Sequence, residues 1–408
     1  MSKLNKYYII DTLEGTFMKN ECLSIKKSNR ATGLELLKFI GIFLIVICHV
    51  VSTLGSDKLQ LIGYNDYFLN IALPTKNIQH FILGMLSYSG ILGNAIFLIS
   101  SIWFLLDKEK TNGQKIFRMV CEIWFISVVW LLVTICFTDI NLTKDYIKQS
   151  LMPTYHFNNW FLTYYIVLSL IFPFLNIIIK NITKRQHLII SIVLFICYIV
   201  LPFKRSFPFA NELILWISVY FIIGYFKIYC IDICNNIKLN RIILISNILI
   251  QFSLILGGNI ISLSNIDKFI PLTNWLNNFN VFIYIIAFSA INIYRNKQLH
   301  SNIINYLASF SMLIYIIHEN LLFRDFYRPV VWKFIYNNLG YDLVLLWCLL
   351  YALLLFIASY IIAFIYKVLL QKILYKLFDL IYGLLKNVIN FIIDKTECIL
   401  HKHKEQNN

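Results

Sequence analysis

Apolar runs of about twenty residues, broken by short polar connections, dominate the chain between residues 34 and 366, which is the pattern of helices that cross a bilayer. Such runs fall near 34–54, 80–106, 117–137, 159–179, 187–203, 212–230, 242–262, 275–294, 302–323 and 342–366. They predict an all-α, polytopic transmembrane helix bundle of about ten helices. Segments such as Ile242 to Ile261 are apolar on every face, whereas the strands of a membrane β-barrel would alternate. After Lys367 the pattern changes: Lys367, Gln371, Lys372, Lys376, Asp379, Gly383, Lys386, Asn387, Asn390 and Asp394 punctuate a run of Leu, Ile, Val and Phe. A polar stripe on an otherwise apolar helix predicts an amphipathic helix in the membrane interface rather than another crossing. The chain thus divides into a basic tail (1–33), the bundle (34–366) and an amphipathic helix with a solvated end (367–408).

Composition fits this division. At 59% hydrophobic and 14% charged residues, the chain is too apolar for a soluble domain of its length. The formal charge of +15 sits largely in the tails and short loops, so a bias of basic residues toward the cytoplasm explains it and no nucleic-acid partner is needed. An even number of spans puts both termini on one side of a cell membrane. Lys26, Lys27 and Arg30 before the first run, with Lys108, Lys110, Lys115 and Arg118 after the second, make that side cytoplasmic. The same charges, without a small-residue cleavage site after the first run, predict a retained signal anchor. Six of the nine cysteines lie in apolar runs and read as small buried hydrophobes rather than as a metal or disulfide framework. No bound metal or permanent cofactor is expected.

Against this background three clusters could carry chemistry. The first is Lys38 and His49 in the first helix: eleven residues apart, close to three turns, they share a face about 16 Å apart along the axis. An ionisable residue within a span is a functional candidate, and imidazole is the side chain suited to accept a proton from a hydroxyl near neutral pH. A bundle-holding hydrogen bond is the structural alternative. Lys38 reads either as a headgroup anchor or as a contact for an anionic ligand. The second cluster, His318-Glu319-Asn320 with Arg324 and Arg328 just beyond, ends the ninth run with titratable groups, as a site or as a boundary cap. The third runs from Trp160 to Asn176. Trp160, Tyr164 and Tyr165 suit an interfacial aromatic belt, and Pro173 should free a backbone carbonyl. Glu122 lies one turn after Arg118, the spacing of a local ion pair. Walker A, dinucleotide-binding, zincin and nucleophile-elbow motifs are absent, so any chemistry must come from the bundle itself.

Together these segments resemble the acyltransferase-3 family of integral membrane acyltransferases, especially its bacterial cell-surface polysaccharide O-acetyltransferases. Lys38 stands where that family usually has arginine, ten residues before the histidine matched by His49. Phe97-Leu-Ile-Ser-Ser-Ile-Trp-Phe104 is similar to its second helix, with Ser101 in place of a glycine, and Lys115 and Arg118 approximate the basic pair that follows. Trp160 to Asn176 matches an aromatic start and a Pro-Phe-Leu-Asn finish, and Ile314-Tyr-Ile-Ile-His-Glu-Asn320 is similar to a Tyr-Leu-Ile-His signature. The resemblance implies acetyl-CoA as donor, a glycan hydroxyl as acceptor and membrane lipid around the bundle. It implies catalysis at His49, His318 and Glu319, and donor contacts at Lys38, Lys115 and Arg118. Trp160, Tyr164, Asn320 and Arg324 are left to bind the acceptor or hold the structure. A lipid-linked oligosaccharide flippase is the alternative from another class, but broken helices and internal pseudo-symmetry are not evident in the sequence.

Overall fold

The computed structural model describes residues 32–53, 74–200, 208–264, 281–297, 299–340 and 342–406. Its regular elements are all helical, with no strand among the described residues. In chain order they are α1 (Thr32–Thr53), α2 (Pro74–Ser87), α3 (Ser89–Leu105), α4 (Gly113–Phe137), α5 (Lys144–Leu151), α6 (Trp160–Asn181), α7 (Lys184–Val200), α8 (Pro208–Tyr229), α9 (Ile231–Asn235) and α10 (Ile237–Ser264). There follow α11 (Val281–Arg295), α12 (Asn302–Ala308), α13 (Ser311–His318), α14 (Arg328–Leu339), α15 (Val344–Ile365) and α16 (Gln371–Gln406).

Each of the ten apolar runs contains helix. Among the described residues 7 helices are long and apolar enough to span a membrane, or up to 8 if the bent pair Asn302–His318 and Phe323–Leu339 forms one span. The pair bends by 67°. The ninth apolar run extends to 323 in the sequence, but helix stops at His318 and resumes through a π-helical turn, Phe323–Tyr327, into α14. Asn320 helps shape the break: its side-chain oxygen accepts the Leu322 amide at 3.0 Å, and its carbonyl accepts the Arg324 amide at 2.8 Å. The ends of the fifth and eighth runs, at 201–203 and 275–280, lie outside the described residues, as do the basic tail and most of the connection at 55–79.

The first helix is central, packing against α2, α3 and α11 to α15. Glycines bring it close to α3. A Cβ placed on Gly93 would collide with the Gly41 carbonyl, and one on Gly90 would meet the Cys48 sulfur at 2.6 Å. Small residues are the usual means of close approach in a membrane, where dispersion contacts supply most of the association. Pro173 in α6 cannot donate to the Ser169 carbonyl, and the Thr111 hydroxyl fills that vacancy at 2.9 Å. Three residues on, the Asn176 amide caps the end of α3 by donating to the Leu105 and Lys108 carbonyls at 2.9 and 2.8 Å, while its oxygen accepts the Tyr220 hydroxyl at 2.6 Å.

The change of pattern at Lys367 coincides with a second π-helical turn, Tyr366–Leu370, through which α15 runs into α16. Part of the polar stripe faces the bundle. Arg118 forms a two-pronged pair with Asp379 and lies 4.7 Å over the Tyr375 ring. Buried Glu122 accepts from Gln371, Tyr375 and Tyr366 at 2.9, 3.0 and 3.2 Å. The two α4 side chains whose spacing suits a local pair thus both take partners from the C-terminal helix.

Candidate active site

The break between α13 and α14 carries His318 and Glu319 to His49, near the end of α1. His49 Nδ1 lies 2.9 Å from Glu319 Oε2 and 3.0 Å from His318 Nε2. His318 is fully buried, and its Nδ1 has a nearer partner, the Ile314 carbonyl at 2.6 Å. A carbonyl only accepts, so His318 Nδ1 carries the hydrogen and His318 Nε2 is an acceptor. Both neighbours of His49 Nδ1 therefore accept, and that atom must be the donor. The assignment leaves His49 Nε2 with the lone pair. A carboxylate holding one imidazole nitrogen so that the other is basic is the arrangement of a general base and its orienting group.

A buried carboxylate needs compensation, and Arg328 supplies it. Its guanidinium is 2% exposed, lies 2.8 Å from Glu319 Oε2, and donates to the His318 carbonyl at 2.5 Å and the His49 carbonyl at 3.4 Å. One arginine thus ties both histidine backbones to the carboxylate between them. The Trp332 indole, one turn further along α14, donates to the Val50 carbonyl at 3.0 Å, fixing α14 against α1. A second arginine, Arg324, lies 3.6 Å from the other Glu319 oxygen and pairs at 3.1 Å with Asp325, which accepts the Tyr146 hydroxyl of α5 at 3.0 Å. The π-helical turn allows both arginines to reach one carboxylate; such turns recur at functional sites.

Exposure separates the roles. The His49 side chain is 18% accessible and that of Glu319 is 7%, while His318 is closed off, so His49 is the member that can meet a substrate. Tyr315 lies 6.4 Å from the His49 ring by centroids, and Phe161 packs on Tyr315 at 6.2 Å. Trp160 and Tyr164 continue this aromatic path, Trp160 touching both Phe161 and Tyr164. The ligand-type atoms of His49, His318 and Glu319 also lie within 4.8 Å of one another, close enough to hold a metal ion. Arg328 on the same carboxylate oxygen opposes a dication there, and the hydrogen bonds account for the contacts without one.

Two of the three predicted donor residues are held by carboxylates. Lys38 pairs with Glu35 at 2.7 Å, Arg118 is held by Asp379, and Lys115 is exposed in the first turn of α4, with its backbone amide on Asn112 at 3.0 Å. Asn320 is buried and turned to backbone. Arg328 stood beside the second cluster in the sequence, but its central place was not legible there: the signal is a second arginine four residues after Arg324, and four residues do not identify which of the two turns inward.

The family described as "Acyltransferase domain" matches residues 32–368, and the chain belongs to this acyltransferase-3 family. Searches among curated proteins and among solved structures found no match.

Proposed function

We propose that this membrane acyltransferase moves an acetyl group from acetyl-CoA, supplied at the cytoplasmic face of the cell membrane, to a hydroxyl of an exported or cell-surface polysaccharide. The observation that carries the mechanism is the tether on His49 Nδ1 by Glu319 and His318. The basic Nε2 takes the proton of the acceptor hydroxyl as its oxygen attacks the acyl carbonyl. The carbon–oxygen bond forms, the carbon–sulfur bond breaks, and the departing thiolate takes up the proton from the imidazolium. Glu319 stabilises that imidazolium, and Arg324, about one third exposed, supplies positive charge for the oxyanion that develops. The donor and acceptor classes follow from the polysaccharide-modifying members that the sequence motifs resemble, and a CoA thioester suits the basic end of the bundle.

The test is transfer of labelled acetyl from acetyl-CoA by protein reconstituted in vesicles, with propionyl-CoA as the competing donor and a polysaccharide against water as acceptors. His49→Ala should remain inserted and lose transfer by about 10²-fold or more. Undiminished transfer by a well-inserted His49→Ala variant would remove the general base, and transfer only from another acyl donor would overturn the acetyl reading.

A further inference from the structure

We propose that Arg295, Lys227 and Trp103 form a phosphate-binding subsite for the donor, at the end of the bundle remote from His49. This rests on the CoA-donor reading above and assigns its anionic end to residues outside the Lys38, Lys115 and Arg118 set. Three helices end together here: Arg295 closes α11, Lys227 lies in the last turn of α8, and Trp103 lies in the last turn of α3. Lys227 and Arg295 both sit over the Trp103 ring, 5.0 and 4.0 Å from its centroid.

Basic side chains at helix C-termini often do no more than complement carbonyls and the helix dipole. Lys227 fits that description, with Nζ on the Trp103 carbonyl at 2.6 Å and paired with Asp107 at 2.7 Å. Arg295 does not. Its NH2 group reaches the Asn235 side-chain oxygen at 2.9 Å and lies 3.5 Å from the Cys234 carbonyl, both neutral acceptors. Its Nε is buried with no hydrogen-bond partner. Among the described residues Lys38, Arg118, Lys227, Arg324 and Arg328 each pair with a carboxylate, and no such pair forms at Arg295. A guanidinium held over an indole, with no carboxylate partner among the described residues and a donor unused, is suited to a planar, multidentate anion contact. Lys297, exposed and 4.5 Å over the Tyr294 ring, adds a second cation two residues on.

The distance to His49 selects the shape of the ligand. A Cβ on Gly33 would collide with the Tyr294 carbonyl, so the end of α11 abuts the first turn of α1. His49 is sixteen residues further along α1, about 24 Å up the axis. A compact anion bound at Arg295 could not present a reacting atom to His49. A donor with phosphates at one end of a long arm and a thioester at the other could.

The experiment measures CoA binding by calorimetry to wild type and Arg295→Gln in nanodiscs of neutral phosphatidylcholine, beside phosphate-free S-acetylpantetheine. Arg295→Gln should weaken CoA by about tenfold or more, the scale of a charge-assisted contact, and leave S-acetylpantetheine unchanged; Arg295→Lys should recover part of the loss. If Arg295→Gln fails to insert, inorganic pyrophosphate should compete with CoA, and not with S-acetylpantetheine, on the wild type. Unchanged CoA affinity, an equal loss for the phosphate-free compound, or failure of pyrophosphate to compete overturns the subsite and leaves a structural cap. An effect confined to discs containing phosphatidic acid assigns the arginine to a lipid headgroup and also overturns it. Wild type that binds no CoA at all overturns the donor reading, and the subsite with it.

Discussion

Glu319→Gln separates the two duties of the carboxylate, orienting His49 and neutralising Arg328. The amide has nearly the same shape but no charge, and it offers one oxygen where the structure asks Oε2 to serve His49 at 2.9 Å and Arg328 at 2.8 Å. Arg328 at 2% exposure cannot turn to water, and leaving a buried charge unpaired costs about 3–5 kcal/mol. The retained amide oxygen offsets part of this, so a loss of about 3 kcal/mol in stability is expected. Transfer should fall by about 10²–10⁴, because the imidazole loses its orienting acceptor and the imidazolium its counter-charge. Thermal unfolding in detergent reads the first quantity and turnover at saturating donor the second. The double variant Glu319→Gln with Arg328→Met removes both charges and should regain much of the stability without regaining activity. Full turnover in Glu319→Gln, or recovery of turnover together with stability in the double variant, would refute the assignment of Glu319 as the orienting group.

Two further contacts test how the frame is held. Asn176→Ala strands the Lys108 carbonyl and the Tyr220 hydroxyl and leaves the Leu105 carbonyl with the Lys108 amide alone; it should lower stability by about 2–3 kcal/mol, against about 1 for Tyr220→Phe, and equal small effects in thermal unfolding would remove the cap. Arg118 and Asp379 are each about one third exposed, so water and salt screen their pair and it adds little to stability. If Arg118 also contacts the donor, Asp379→Asn should tighten the apparent donor affinity and Arg118→Gln should weaken it, whereas unchanged affinity in both would leave only a pin for the C-terminal helix.

Helix identity was legible because a backbone in hydrocarbon must satisfy its own hydrogen bonds, so every long apolar run had one plausible local structure. Where a helix bends or stops was not. The run from 302 resumes apolar residues at Leu321 to Phe323 after His318-Glu319-Asn320, yet helix ends at His318, where Arg328 holds the His318 carbonyl and Asn320 recloses the chain locally. The C-terminal stripe was likewise visible as a pattern, but not its direction. Lys367, Gln371 and Asp379 find Ser309, Glu122 and Arg118, contacts that join positions far apart in sequence.

The site shows the same limit from the other side. His49, His318 and Glu319 each stand out singly in the sequence as polar groups in apolar surroundings, but adjacent residues on one helix point about 100° apart, which would separate His318 from Glu319. They converge because Glu319 is no longer helical: its backbone, at φ −103° and ψ 15°, lies just past the last turn of α13. A helix that continued through residue 319 would aim only one of the two at α1. The break therefore belongs to the chemistry, and it explains why two arginines follow within nine residues of Glu319: the carbonyls and the carboxylate gathered at an interrupted helix end need donors, and Arg324 and Arg328 are where the π-helical turn can return them.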